Sequence, residues 1–163
     1  MRIRNQRGFS LIELLVVVVI ILVLAAIAIP NLLRSKMSAN EASAIASVRT
    51  IITSEIVYSV TYTVGFSPNL VSLSDGGASA NCLPPNLPVA SSACLIDPSL
   101  GSGTKSGYVF TYVAAGGAIN NSYTLNADPM NPGITGQRHF FTDASHVIRV
   151  NNTAPASNTD PAI

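Results

Sequence analysis

Apolar and polar positions are spread very unevenly along this chain. From Leu14 to Leu33, 20 consecutive positions carry no charged side chain, and Leu, Ile, Val and Ala fill nearly all of them. Wound as a helix at about 1.5 Å per residue, such a run reaches roughly 30 Å, one hydrocarbon thickness of a bilayer. Beyond it Arg34, Lys36, Glu41, Arg49 and Glu55 appear among small and apolar residues, and Ile45, Val48, Ile52 and Ile56 recur at helical spacing. No glycine interrupts residues 9–64, and Pro30 is the one strong breaker there. The pattern predicts a single long helix over 9–64. Its first half, 9–33, is apolar all round and its second half amphipathic. A kink or local unwinding is expected at Pro30, and Gly65 is expected to cap the end.

The remainder, 65–163, changes character. Residues 66–107 are punctuated by Pro68, Gly76-Gly77, Pro84-Pro85, Pro88, Pro98, Gly101 and Gly103 and read as a long loop region. Alternating segments follow at 108–113, 122–127, 138–142 and 146–150, the last two joined around Asp143-Ala144-Ser145. They predict an antiparallel sheet of about four strands whose buried face meets the stripe Ile45 to Ile56. Residues 151–163 read as an extended surface tail. The fold class is therefore α+β: a long N-terminal helix packed on a C-terminal sheet.

Composition narrows the classes of function. A chain of 163 residues suits one modest core. The net charge is +1 and no basic stripe exists beyond the first seven residues, so no nucleic-acid contact is expected. Cys82 and Cys94 are too far apart for a redox C-x-x-C motif, and two cysteines alone make no structural zinc site. An exported context favours a disulfide between them; two free buried thiols are the alternative.

The start of the chain decides between three kinds of membrane segment. Arg2, Arg4 and Arg7 precede the apolar run and should stay on the cytoplasmic side. Ala26-Ile27-Ala28 fits an ordinary signal-peptide cleavage site, and hydropathy alone fits a plain anchor. Neither has a use for Glu13, because a carboxylate at the head of a span is costly. Gly8-Phe9-Ser10-Leu11-Ile12-Glu13 resembles the class III signal of type IV pilins and pseudopilins.

The resemblance covers residues 7 to about 33 closely and extends with the helix to about 63. It implies a leader, residues 1–8, cut between Gly8 and Phe9 by prepilin peptidase, which also methylates the new amine of Phe9. It implies that Glu13 pairs with the Phe9 amine of a neighbouring copy during assembly, and that Pro30 kinks the helix. A plain helix-capping role for Glu13 is the competing reading. The head, 65–163, resembles the pilin fold in layout only.

No catalytic constellation emerges. Asp75, Asp97, Asp128, Asp143 and Asp160 are scattered, mostly in turn-like company, and His139 and His146 lack a nucleophile or metal spacing. Asp143 and Asp160 supply too few oxygens for calcium. No enzyme activity, metal or cofactor is expected. Asn120-Asn121-Ser122 and Asn151-Asn152-Thr153 match a glycosylation sequon.

The resemblance implies a structural subunit of a type IV pilus, with a type II secretion pseudopilin as the alternative. A membrane-anchored exported enzyme or binding module is the third possibility. The implied partners are further copies of the chain, prepilin peptidase, the inner-membrane assembly platform and, before assembly, the lipid bilayer. The implied location is the inner membrane with the C-terminus periplasmic, then a surface pilus or a periplasmic pseudopilus.

Overall fold

The computed structural model describes residues 9–116 and 119–163. The leader arginines and Gly8 therefore lie outside the described residues. Two compact units divide between Lys36 and Met37. Helix α1, Leu11–Tyr62, belongs to both.

In the first unit the helix assignment runs through Pro30 without a break, so local unwinding is not the form taken there. Proline has no N–H to give the carbonyl four residues back, at Ala26. The side chains of this segment are almost all exposed, from Phe9 at 78% to Leu32 at 69%.

In the second unit α1 buries Glu41, Ala44, Val48, Ile51, Glu55 and Tyr58, with Ser47 and Ser54 beside them. This is a stripe at spacings of three and four. It differs from the expected one: Val48 is shared, Ile45 and Ile52 only flank the core, and Ile56 is exposed. The reason is that two of the inward positions are glutamates, which a hydrophobic count skips. The helix also stops earlier than expected. Thr63 takes a left-handed φ of 55° and its N–H donates to Ser59 O at 3.2 Å. Gly65 has a different role. A Cβ there would lie 2.4 Å from Asn120 O, so only glycine admits the bridge between these two backbones.

The loop region contains short elements: α2, Leu70–Leu73, a 3₁₀ turn, Ser79–Cys82, and α3, Pro98–Gly101. Both α-turns have side-chain caps. Asn69 Oδ1 accepts from Ser72 N at 2.9 Å, and Asp97 Oδ1 accepts from Leu100 N at 3.0 Å. Cys82 and Cys94 form a disulfide with Cα atoms 5.8 Å apart.

The sheet has five strands in sequential antiparallel order: β1 Thr104–Lys105, β2 Tyr108–Ala115, β3 Ser122–Pro129, β4 His139–Asp143 and β5 Arg149–Asn151. The extra strand, β1, is two residues long, too short to show alternation in sequence. β5 starts three residues later than expected, because Asp143 Oδ1 accepts from Ser145 N at 2.8 Å and His146 sits at φ 61°. Tyr108, Phe110, Tyr123, Leu125, Ala127 and Phe140 join the stripe of α1 in one core.

The C-terminal tail is not merely extended surface. Val150 N donates to Pro161 O and Ile163 N to Ile148 O, both at 3.0 Å, and Ala156 is buried. Apolar content is a poor guide to such a strap, because backbone hydrogen bonds hold it.

Two carboxylates pin α1 within this unit. Glu41 Oε1 accepts from Gln137 N at 2.8 Å and Arg138 N at 3.2 Å, and its Oε2 accepts from Arg138 Nε at 2.7 Å. Burial pushes the Glu41 carboxyl up, but these bonds outweigh it and hold it below its ordinary value near 4.5. Glu55 is fully buried, and accepts from Ser67 N at 2.9 Å and Ser67 Oγ at 2.5 Å. Here burial wins and the carboxyl is raised.

The two groups therefore have opposite pH signatures. The contribution of Glu41 is complete above the ordinary carboxylate range and is lost as pH falls through its lowered value. Glu55 costs stability as pH rises from the ordinary range through its raised value. Glu41→Gln should lower stability by about 1.5–3 kcal/mol at pH 7, with the deficit shrinking toward pH 3. Urea titrations of the detergent-solubilised chain, followed by tyrosine near-UV circular dichroism, measure this; a deficit that grows on acidification refutes the assignment. Replacing both Cys82 and Cys94 by Ser should cost about 2–4 kcal/mol in the same assay, and a non-reducing peptide map should find the 82–94 link in the native chain.

Candidate functional site

The N-terminal site is built on the first turn of α1. Ser10 precedes the helix, Leu11 opens it, and Glu13 is its third residue. Ser10 O accepts from Glu13 N at 3.1 Å and from Leu14 N at 3.2 Å. Ser10 N donates back to Glu13 Oε2 at 3.4 Å. The side-chain contact is half of a capping box, in which Ser and Glu three apart serve each other's backbone. The Ser-x-x-Glu spacing was readable in the sequence but was overshadowed by the resemblance of the surrounding residues. At 3.4 Å the bond is longer than a good N–H···O contact. Glu13 thus touches its own helix start while its carboxylate keeps accepting capacity.

Behind this turn stands the apolar run. Among the described residues of its unit, none buries its most apolar window. A helix apolar all round and covered by nothing of its own fits lipid or other copies of itself. Phe9 lies beside Ser10, so the structure places two of the three expected processing and assembly residues, Phe9 and Glu13, at one exposed helix end.

The second unit holds polar groups that serve structure. Asp143 Oδ1 is taken by Ser145, and Asp160 Oδ2 accepts from Ser157 N at 2.7 Å. Hydrogen bonds from Ser157 hold the exposed Asp160 carboxyl below the ordinary range. These two acids are not brought together as ligands, and among the described residues no group of three or more His, Cys, Asp and Glu could hold a metal. His139 Nδ1 lies 2.6 Å from Asp128 Oδ1, a pair between neighbouring strands. Asp97, bonded by Lys105 at 2.8 Å, is raised by burial but brought down to about 2 by its hydrogen bonds from Lys105, Ser99 and Leu100. Both sequon asparagines are engaged: Asn120 Nδ2 donates to Phe66 O at 3.2 Å, and Asn151 Oδ1 accepts from Thr153 N at 3.0 Å.

A buried polar cluster surrounds Glu55 and escaped the sequence reading. Tyr112 Oη donates to Ser67 O at 2.9 Å, and the Tyr112 and Tyr123 rings stack at 5.4 Å. Burial pushes both phenols up, with the Glu55 carboxylate adding to the shift. Tyr123 Oη and His146 Nε2 are buried without a hydrogen-bond partner among the described residues. Tyr112, Tyr123 and Phe66 pack together over the Glu55 carboxylate inside the core. An open groove of about 510 Å³ runs past Arg49, Ile52, Thr53, His146, Ile148 and Ile163.

Comparison with known proteins bears on the N-terminus alone. The family described as Prokaryotic N-terminal methylation motif matches residues 3–29. The type IV wide pilus major component PilA4 of Thermus thermophilus is 53% identical over 38 residues, which are 23% of this chain and 29% of that protein. The chain thus aligns with less than a third of that relative's length. No solved structure matches the chain significantly. The family match at 3–29 contains Gly8-Phe9, Glu13 and most of the apolar run, so this chain carries the prepilin-type N-terminal methylation motif.

Proposed function

We propose that the chain is a structural subunit of a type IV pilus, cut after Gly8, methylated at Phe9 and polymerised through its apolar N-terminal helix. The observation that carries this is a single one. A 20-residue uncharged helical run is exposed at nearly every position and headed by Glu13, four residues after Phe9. The pilus reading draws on the relative's description as a wide pilus component, with a secretion pseudopilin as the alternative.

On this reading the subunit sits in the inner membrane with residues 37–163 outside, until an assembly platform moves it into the filament. Residues 1–8 are leader, 9–64 the segment built on α1, and 65–163 head. Pro30 bends the apolar half. The Phe9 amine of one copy meets Glu13 of the next, an ion pair that is strong in low dielectric but costly for either member alone. The chain acts by assembly and performs no catalysis.

The mature chain should have 163 − 8 = 155 residues and begin with N-methylated Phe9. Loss of Arg2, Arg4 and Arg7 takes the count of basic residues from 9 to 6 against 8 acidic ones, a net charge of −2. Intact-mass and N-terminal peptide spectra of sheared surface filaments check this, and Ile29 as the first residue would establish an ordinary signal peptide instead. Glu13→Gln should insert and be processed normally yet yield few or no filaments. Abundant filaments from that variant would leave Glu13 as a cap only.

A further inference from the structure

Arg34 and Lys36 close the apolar run on its far side. They are the first charges after Leu33, both are exposed, and the helix continues through both. Two positions apart on an α-helix is about 200° around the axis, so the two side chains leave on opposite sides and cannot share one counter-charge. Within their unit the one acid among the described residues is Glu13, roughly 30 Å back along the helix. Neither cation therefore has a counter-ion on the apolar segment it terminates.

Their position along the helix supplies one. A span of roughly 30 Å ends where the hydrocarbon ends, and the phosphate layer begins just beyond. Arginine and lysine stems at such an edge lie along the apolar boundary and carry their charges outward to the headgroups. Arg34 can grip a phosphate with two parallel N–H donors, while Lys36 offers a compact point charge.

We infer that Arg34 and Lys36 form a collar that binds the headgroups of anionic phospholipids in the leaflet opposite Arg2, Arg4 and Arg7. The inference rests on Leu14–Leu33 being a bilayer span, as the proposed function requires. It adds a consequence of processing. Cleavage after Gly8 removes all three basic side chains of the near flank, so the collar becomes the only Arg or Lys flank of the span. Anionic lipid in the far leaflet then fixes the depth at which the processed subunit waits.

The full chain is placed in nanodiscs of phosphatidylglycerol and phosphatidylcholine in equal amounts, and the lipids retained on release are counted by native mass spectrometry. The work is done in an Arg2→Gln/Arg4→Gln/Arg7→Gln background, which silences the near flank. Adding Arg34→Gln/Lys36→Gln should lower the preference for phosphatidylglycerol roughly thirtyfold, about fivefold per cation. The exchange Arg34→Lys/Lys36→Arg should keep the preference, and added salt should weaken it. Unchanged preference in the glutamine pair, with the chain still resistant to alkaline extraction from membranes, overturns the collar and leaves the span standing. A chain that alkali extracts overturns the span and the proposed function with it. Loss of filaments with lipid preference intact overturns the collar in favour of a carboxylate from another copy.

Discussion

An apolar helix surface that no described residue of its own unit covers is the constraint on which the rest depends. Burying a Leu, Ile or Val side chain is worth about 1.5–3 kcal/mol, so the run Leu14–Leu33 leaves an unmet demand on the order of tens of kcal/mol in water. No rearrangement of a small polar head relieves that. The demand is met by hydrocarbon, by identical helices, or by each in turn. A subunit that must exchange lipid for copies of itself needs a span that is uniformly apolar, so that either environment suits it. The run has that character: its side chains differ in shape far more than in polarity. What distinguishes the two environments must then come from the few charged groups at its ends.

The second unit solves a different problem. Its core is modest, and it relies on polar anchors as much as on apolar contact. Glu41 ties the helix to the segment before β4, and Glu55 ties it to the chain just after the helix. The two sites are chemically alike but electrostatically opposed. Glu41 has a guanidinium as partner and stays readily ionised, whereas Glu55 has a hydroxyl, an amide and a wall of tyrosines. The disulfide and the caps at Asn69 and Asp97 then restrain a segment too rich in Gly, Pro and Ser to order itself by burial.

The boundary between what the sequence displayed and what it hid follows from this division. The apolar run, the hairpin of β2 and β3 and the place of β4 were visible because hydrophobic period carries them. The buried stripe of α1 was misplaced by about one residue because two of its members are glutamates, whose burial depends on donors from residues 67 and 137–138, far away in sequence. The late start of β5 follows from an Asp143 turn and a left-handed His146, neither of which alters polarity. At the N-terminus the relevant residues were legible as a resemblance, and a capping role for Glu13 was legible beside it, though Ser10 as its partner was not. The tyrosine cluster around Glu55 could not be foreseen, since Tyr112 and Tyr123 look like any alternating strand residues.

On the proposed reading, Glu13 links the local structure of the helix start to assembly. A cap and a docking group ask different things of a carboxylate. A cap needs it folded back on its own N-terminus, satisfied and quiet. Docking needs it free to accept a stronger donor. The contact with Ser10 N at 3.4 Å is compatible with both, because it stabilises the helix start without saturating the oxygens. A protonated amine is a better donor than a neutral amide, and its advantage grows as the surroundings become less polar. Water or headgroups at the membrane edge weaken that advantage, and a packed apolar interior restores it. On the proposed reading, the same residue holds its own helix start in the bilayer and changes partners inside the filament, with the polarity of the surroundings deciding between them.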